Sequence, residues 1–223
     1  MEEKLKVFCD FDGTISAVDV TNFILSRLAD PSWNNIEQEW IRGEIGSREC
    51  LDRQIPLIRG GWNAVEALLA EVPLDPDFSE FSALCAAEGV PVAIVSDGLD
   101  RVIEALLARE KIEVAEIWAN QLVEDDSGKL SIRFPYPPSG KLCRAGLCKC
   151  EVLSRGEQLL KIVIGDGQSD YCWAGKAGRV FAKSKLLEHC REFQMPNAAY
   201  ESFGDVLPLF REMIKQYRIQ NVR

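Results

Sequence analysis

Three short apolar runs, each followed at once by polar residues and glycine, constrain the fold of this chain more than any other feature. They occupy residues 6–11, 90–95 and 161–164, are rich in β-branched residues, and are too short for typical helices. We therefore expect buried parallel strands. Helical patterns lie around them at residues 34–42, 48–58, 62–71, 78–88, 99–110, 151–158 and 205–219. This alternation predicts an α/β fold, a parallel sheet flanked by helices.

The interval between residues 17 and 76 interrupts the alternation, because it holds only helical patterns and no convincing strand. We expect it to form a small helical bundle inserted after the first strand, and we refer to residues 17–76 as the helical insert. The α/β core is then expected to comprise residues 1–16 and 77–223. Two alternating runs within residues 122–134 flank the turn Asp125-Asp126-Ser127-Gly128, which predicts a β-hairpin.

The composition of the chain limits its partners. A formal charge of -9 on 223 residues leaves no basic face for a phosphate backbone, so nucleic acid is not an expected partner. No stretch is long and apolar enough to span a bilayer, and no basic leader opens the chain. We expect a cytoplasmic monomer or homodimer with reduced cysteines and a small-molecule partner. The one histidine, His189, argues against mechanisms built on several histidines.

The polar ends of the predicted strands carry the chemistry. Asp10-Phe11-Asp12-Gly13, Ser96-Asp97-Gly98 and Asp166-Gly167 each follow an apolar run. In an open parallel sheet, ligands bind outside the carboxyl ends of the strands, so we expect these three ends to converge on one crevice.

The pair Asp10 and Asp12 has two interpretations. Aspartate and glycine are ordinary turn residues, so the pair is also typical of a capped turn. However, clustered carboxylates repel, and burial raises the pKa of at least one of them unless a cation lies between. Mg²⁺ suits a site of oxygen ligands that also binds phosphate. The expected metal site comprises Asp10, Asp12, Asp166 and Asp170, and the expected phosphate site comprises Ser96, Asp97, Gly98 and Lys149.

Taken in order, these elements resemble the four motifs of the haloacid dehalogenase superfamily. They are DFDGT, the strand that ends in Ser96, the helix opened by Lys149, and GDGQSD at residues 165–170. The helical insert is similar to the cap of the subgroup that contains phosphoserine phosphatase. The resemblance covers essentially the whole chain, and it implies a Rossmann-like core with a helical cap.

The resemblance also implies a phosphatase mechanism through an aspartyl-phosphate. Asp10 would be the nucleophile, and Asp12 would protonate the leaving group and then activate water. Mg²⁺ would be held by Asp10, the backbone carbonyl of Asp12 and Asp166, with Asp170 orienting the set. Two alternatives stay open at this point. One is a phosphotransferase that uses the same intermediate, and the other is a non-catalytic receiver-like module that binds Mg²⁺ alone.

The substrate is less constrained by the sequence. Asp19 lies where phosphoserine phosphatases have a glutamate, but Gln54 lies where they have the arginine that binds the serine carboxylate, so Arg48 or Arg53 would have to compensate. A closer resemblance is to the methionine-salvage phosphatases that act on 2-hydroxy-3-keto-5-methylthiopentenyl-1-phosphate. It is carried by Phe134-Pro135, by Cys143-x4-Cys148-Lys149-Cys150, and by the segment 181–203. Asp97 and Gln168-Ser169 depart from that pattern.

The three cysteines around Lys149 have a further interpretation. Cys143, Cys148 and Cys150 would bind zinc only with a fourth ligand such as Cys172, and their spacing lacks the paired C-x2-C of common structural sites. Packed or redox-sensitive thiols are the favoured alternative.

Overall fold

A seven-stranded sheet forms the centre of the protein, and its strand order is β4-β3-β2-β1-β5-β6-β7. The computed structural model describes residues 4–140, 143–155 and 159–221. The strands are β1 Lys4–Cys9, β2 Val92–Leu99, β3 Glu116–Glu124, β4 Leu130–Arg133, β5 Leu159–Gly165, β6 Arg179–Ala182 and β7 Ala198–Ala199. All neighbours pair in parallel except β3 and β4, which form the predicted antiparallel hairpin. The α/β fold is confirmed.

The three predicted strands occupy the centre of the sheet as neighbours, with β1 between β2 and β5. Alternate residues of β1 point to opposite faces, so Val7 packs in one hydrophobic cluster and Phe8 in the other. Both faces are therefore buried. This explains why these strands are continuous apolar runs in the sequence.

Helices cover both faces of the sheet. In chain order they are α1 Val20–Leu28, α2 Trp33–Ile41, α3 Ser47–Gln54, α4 Gly61–Leu69, α5 Phe78–Ala87, α6 Asp100–Arg109, α7 Lys149–Ser154, α8 Tyr171–Ala174, α9 Ser184–Glu192 and α10 Phe203–Asn221. Helices α5, α6 and α10 contribute to the Val7 cluster, and α7, α8 and α9 contribute to the Phe8 cluster. Within the described residues, no helix combines the length and apolarity that a membrane span needs.

The helical insert contains α1 to α4 and joins the core through two short antiparallel segments. The amide of Ala17 donates to the carbonyl of Pro73 at 3.1 Å, and the amide of Asp75 donates to the carbonyl of Ile15 at 2.8 Å. Buried residues of the insert, such as Ile24 and Val65, belong to the same hydrophobic cluster as Val7. The insert is thus held by two connections and packs against one face of the core. Whether residues 17–76 act as a separate unit stays a prediction.

Candidate active site

The polar ends of β1, β2 and β5 meet at one edge of the sheet. Asp10 follows β1 directly, and its amide donates to the carbonyl of Ile164 in β5 at 2.9 Å. Ser96 lies near the end of β2, where its hydroxyl is within 3.5 Å of Asp12. Because the three strands are neighbours and parallel, side chains distant in sequence gather here.

Lys149 lies between two of the carboxylates. Its Nζ is 2.6 Å from Oδ1 of Asp10 and 2.8 Å from Oδ1 of Asp170. All three side chains are buried. Burial opposes the charge of Lys149, but the two carboxylates outweigh it and raise the pKa of the lysine above its ordinary value. Below the ammonium lies the ring of Trp173, whose centroid is 5.0 Å from Nζ.

Asp170 is fixed through both of its carboxylate oxygens. Its Oδ1 accepts from Lys149, and its Oδ2 accepts from the amides of Asp166 and Gly167, each at 3.0 Å. A Cβ on Gly165 would lie only 2.5 Å from Oδ2, so this position must lack a side chain. Asp170 therefore orients the loop that carries Asp166.

A cluster of three carboxylates could hold a metal ion. Asp10, Asp166 and Asp170 each offer an oxygen, and these oxygens lie within 4.8 Å of one another. Thr14 donates to Oδ1 of Asp166 at 2.8 Å. We call Asp10, Lys149, Asp166 and Asp170 the aspartate cluster. Its oxygen donors fit a hard divalent cation.

The cysteines around Lys149 offer no comparable group. All eight cysteines are free, with Cys148 buried and Cys143 exposed. In the part of the chain that the structure describes, no other set of three potential ligands comes together as the carboxylates do. The zinc interpretation therefore gains no support from the fold.

Asp12 has a different environment from Asp10. Its Oδ1 accepts from the amide of Val20 at 2.8 Å, at the start of the helical insert. A Cβ on Gly98 would lie 2.9 Å from its Oδ2, so glycine lets β2 approach this carboxylate. Burial and the nearby charge of Asp19 raise the pKa of Asp12 to about 7. A carboxyl group with this pKa can both donate and accept a proton near neutral pH.

Burial and the charge of Asp170 also raise the pKa of Asp10, although Lys149 offsets part of this effect. A cation at the cluster would lower it again, because opposite charge favours the ionised form.

The predicted phosphate site is only partly assembled around these groups. Ser96 is buried and its Oγ accepts from the amide of Gly98 at 3.0 Å. Asp97 differs, because its carboxylate accepts hydrogen bonds from Asn120 and from the amide of Leu147. These contacts occupy the carboxylate with protein donors, and an anionic side chain has no attraction for a phosphate.

A chain of polar side chains leads from Asp12 into the helical insert. Asp19 caps α1 by accepting from the amide of Asn22 at 2.8 Å, and the Asn22 amide group lies 3.4 Å from Asp19 and 3.5 Å from Glu37. Glu37 in turn accepts from Gln54 at 2.9 Å. We call Asp19, Asn22, Glu37 and Gln54 the insert network. Burial raises the pKa of Asp19, with hydrogen bonding to Asn22 opposing the rise.

Neither arginine considered for the insert joins this network. Arg53 is bonded to Glu39 at 2.6 Å and to Glu49 at 3.4 Å on the exposed face of α3. Arg48 is also exposed and lies over the ring of Phe134 at 5.1 Å, beside a cavity of about 420 Å³. Gln54, by contrast, is buried on the inner face of α3.

Several residues of the site carried no clear signal in the sequence. Thr14 belongs to the DFDGT motif, so its contact with Asp166 could have been anticipated from that motif. Trp173, Glu37 and Asn120 are ordinary residues of helices or strands, and only the fold brings them to the site.

This arrangement defines a class of protein before any particular relative is considered. A buried lysine between carboxylates, beside a second carboxyl with a pKa near 7, at the carboxyl edge of a parallel sheet, suits phosphoryl transfer. The chain matches the model of the family described as haloacid dehalogenase-like hydrolase over residues 7–175. It belongs to that family, and it is an enzyme of the phosphatase type.

Curated relatives match this chain over nearly its full length, and two of them illustrate the similarity. A 2-hydroxy-3-keto-5-methylthiopentenyl-1-phosphate phosphatase of Brevibacillus brevis is 29% identical over 219 residues, which cover 96% of this chain and 98% of the relative. The phosphatase of the same name from Geobacillus kaustophilus is 31% identical, again with 96% and 98% covered. The resemblance expected from the sequence is confirmed.

Solved structures share the fold. A structure titled as a phospho-aspartyl intermediate analogue of phosphoserine phosphatase matches with a TM-score of 0.69 and 20% identity, covering 93% of this chain and 99% of that one. A substrate-bound phosphoserine phosphatase structure matches with a TM-score of 0.69 and 19% identity, covering 94% and 99%. At this identity the likeness concerns the fold alone.

Proposed function

We propose that this enzyme hydrolyses a small phosphate monoester through an aspartyl-phosphate on Asp10, with Mg²⁺ as cofactor. The observation that carries the proposal is the contrast between two neighbouring carboxylates. Asp10 is held by Lys149 at 2.6 Å, whereas Asp12 contacts no lysine among the described residues and has a pKa of about 7. One carboxylate is suited to attack, and the other to move protons.

The reaction then has two steps. In the first, an oxygen of Asp10 bonds to phosphorus as the bond to the leaving oxygen breaks, and Asp12 gives that oxygen a proton. In the second, Asp12 takes a proton from water, whose oxygen bonds to phosphorus as the bond to Asp10 breaks. Free phosphate leaves. Lys149 and Ser96 would hold the transferring group throughout.

Mg²⁺ would be bound by Asp10, the backbone carbonyl of Asp12 and Asp166, with Asp170 orienting the loop. The oxygen cluster of these aspartates supports this assignment. When bound, the ion would reduce the repulsion between the nucleophile and the anionic substrate. A receiver-like module would have no use for a proton carrier such as Asp12, and the family membership of the chain also argues for an enzyme.

For the substrate, we propose 2-hydroxy-3-keto-5-methylthiopentenyl-1-phosphate or a close analogue. The names of the full-length relatives support this choice. The insert network supports it as well, because it holds two carboxylates and two amides but no cation. Such a network offers no charge-assisted partner for the carboxylate of phosphoserine. We propose that residues 17–76 form the cap that provides this contact.

The test is a comparison of purified enzyme on both phosphates, with and without Mg²⁺. We expect Mg²⁺-dependent release of phosphate, and a kcat/KM for the methionine-salvage compound at least about tenfold above that for phosphoserine, the effect of one charge-assisted hydrogen bond. Product analysis in the presence of acceptor alcohols separates hydrolysis from phosphotransfer. A preference for phosphoserine would contradict the proposed substrate.

The matched control is Asp10→Asn, which keeps the shape of the nucleophile and removes its charge. We expect loss of turnover by about a thousandfold or more without loss of folding, because no other group can form the covalent intermediate. Full activity on an aryl phosphate in this variant would contradict the mechanism.

We also propose a cytoplasmic, reducing environment and no nucleic-acid partner, as a monomer or homodimer. Free thiols, including exposed Cys143 and Cys172, support the compartment, and the net charge of -9 argues against nucleic acid. Thiol titration of freshly prepared protein and its mass in solution test these points.

A further inference from the structure

Asp97 follows Ser96 at the end of β2, and its carboxylate joins three parts of the chain. Oδ1 accepts from the amide of Leu147 at 2.8 Å and from the side-chain amide of Asn120 at 3.0 Å. Oδ2 accepts from the hydroxyl of Ser47. These donors belong to the segment before α7, to β3 and to the helical insert. The carboxylate is thus a junction between elements.

The first connection reaches the active-site lysine. Leu147 lies two residues before Lys149, which is the first residue of α7. The intervening amide, that of Cys148, donates to the carbonyl of Tyr136 at 3.2 Å. Two successive backbone amides are therefore anchored just before the residue whose Nζ contacts Asp10 at 2.6 Å. The Asp97 contact helps to fix the backbone from which this lysine extends.

The second connection reaches the helical insert. Ser47 is the first residue of α3, and the next amide, that of Arg48, donates to the carbonyl of Arg144 at 3.2 Å. The Arg144 guanidinium lies 3.4 Å from the carbonyl of Gly43. A Cβ on Gly46 would lie 2.3 Å from the Arg144 carbonyl oxygen, so the two backbones meet closely only because this residue is glycine. The insert thus docks on the segment that leads to Lys149.

The core side of the junction is buried and closely packed. Asn120 is fully buried, and its Nδ2 donates to the backbone carbonyl of Asp97 at 2.6 Å as well as to the carboxylate. A Cβ on Gly146 would lie 2.8 Å from Oδ1 of Asp97. Of the three described donors to the Asp97 carboxylate, Ser47 alone belongs to the insert. It is therefore the contact that insert movement would break.

We propose that Asp97 is a positioning residue that couples docking of the helical insert to the placement of Lys149. When the insert is docked, Ser47 completes the hydrogen bonds of the carboxylate, and the carboxylate holds Leu147. When the insert withdraws, one oxygen loses its donor, the carboxylate loses its fixed orientation, and the lysine segment loosens. Lys149 is therefore held in position only when the insert is docked and encloses the substrate. This role rests on the proposed function.

The test is a double-mutant cycle on kcat, with Mg²⁺ and the methionine-salvage phosphate. We expect Asp97→Ala to lower kcat about tenfold and Ser47→Ala about threefold, whereas Asp97→Asn, which keeps an acceptor for Leu147, stays within about threefold of wild type. Adding Ser47→Ala to Asp97→Ala should cause no further loss, because the serine acts through the aspartate. Ser26→Ala, which removes an exposed hydroxyl from α1, is the control and should change nothing.

A second measurement separates positioning from general destabilisation. Hydrogen exchange of the peptide covering residues 143–155 should rise in Ser47→Ala and Asp97→Ala while the thermal midpoint of the Ser47→Ala protein stays at that of Ser26→Ala. Additive losses in the cycle, or unchanged exchange in both variants, would overturn the coupling. If wild type hydrolyses no phosphate, the proposed function fails, and the exchange experiment still decides whether Ser47 and Asp97 hold the lysine segment.

Discussion

The aspartate cluster and the insert network are both polar and both contain carboxylates, but only the cluster also contains a cation. In the cluster, Lys149 is buried between Asp10 and Asp170 at 2.6 and 2.8 Å, so the negative charges have a cation beside them. In the network, Glu37 is buried against the neutral amide of Gln54, with no cation joining them. The cluster therefore combines a buried cation with carboxylate oxygens that could hold a metal ion. The network has carboxylates and amides but no cation, so it favours hydrogen-bond donors over anions.

Removing the cation of the aspartate cluster should have the largest effect. Lys149→Ala leaves two buried carboxylates without their partner, so we expect the free energy of unfolding to fall by about 3–5 kcal/mol in the absence of metal. Mg²⁺ should recover part of this loss, because it supplies positive charge at the same place. Denaturant unfolding with EDTA and with Mg²⁺ measures both effects.

Lys176→Ala is the matched control for this variant, because Lys176 is exposed. Its free energy of unfolding should stay within about 0.5 kcal/mol of wild type. Equal stability of the two variants would mean that Lys149 does not balance the cluster, and the contrast between the two regions would fail.

The pH dependence of stability should distinguish the two regions next. The folded pKa of Asp12 is about 7 against an ordinary value of 3.8, so the folded state holds the proton over a range where the unfolded state has lost it. Stability of the metal-free protein should therefore fall as the pH rises from about 4 to about 7. The raised pKa values of Asp10 and Asp166 act in the same direction.

Thermal unfolding in EDTA across this range measures the slope. Asp12→Asn should flatten it, and Mg²⁺ should raise the midpoint most at the upper end, where the cluster is ionised. Asp19→Asn is the matched variant in the insert network, and it should flatten the slope less because the hydrogen bond from the amide of Asn22 opposes the rise in the pKa of Asp19. A midpoint that rises with pH in the metal-free protein would refute the assignment.

The aspartate cluster was predictable from the sequence to a greater extent than the insert network. The strand ends can be recognised in the sequence as apolar runs followed by Asp, Ser and Gly. Because the strands are parallel neighbours, these ends lie at the same edge of the sheet. The contacts of Trp173 with Lys149 and of Asn120 with Asp97 could not be predicted from the sequence, because both residues lie in elements with no distinctive pattern.

The fold was predictable wherever the hydrophobic period was strong. The central strands and the hairpin were found, but α1 at Val20–Leu28 was not among the predicted helices. The sequence predicts Asp19 only as a substrate residue, although Asp19 is the N-cap of α1 and accepts a hydrogen bond from the amide of Asn22. The short strands β6 and β7 are also not predicted from the sequence, because strands of four and two residues are too short to show a hydrophobic period.

A substitution inside the insert network should change specificity by a smaller amount. Gln54→Arg places a guanidinium at the position where the resemblance to phosphoserine phosphatases implies one, but Glu37 lies 2.9 Å from the native amide and would pair with it. We expect less than about a threefold gain in kcat/KM for phosphoserine from this change alone, and about tenfold when Glu37→Gln is added. Steady-state kinetics on phosphoserine measures both gains.

Gln38→Arg provides the control, since Gln38 is an exposed glutamine on the neighbouring helix. It should bring no gain with or without Glu37→Gln. A tenfold gain from Gln54→Arg alone would mean that Glu37 does not control the charge of the network.

The smallest effect is expected at Arg53, on the outer face of α3. Its side chain is 39% exposed and pairs with Glu39 and Glu49 in solvent. Arg53→Ala should therefore lower the free energy of unfolding by less than about 1 kcal/mol and leave kcat/KM unchanged for both phosphates. Chemical denaturation and steady-state kinetics measure the two quantities. A selective loss of phosphoserine hydrolysis would instead mean that Arg53 leaves its ion pairs to meet the substrate, and Gln54 would then not be the only residue of α3 that contributes to substrate recognition.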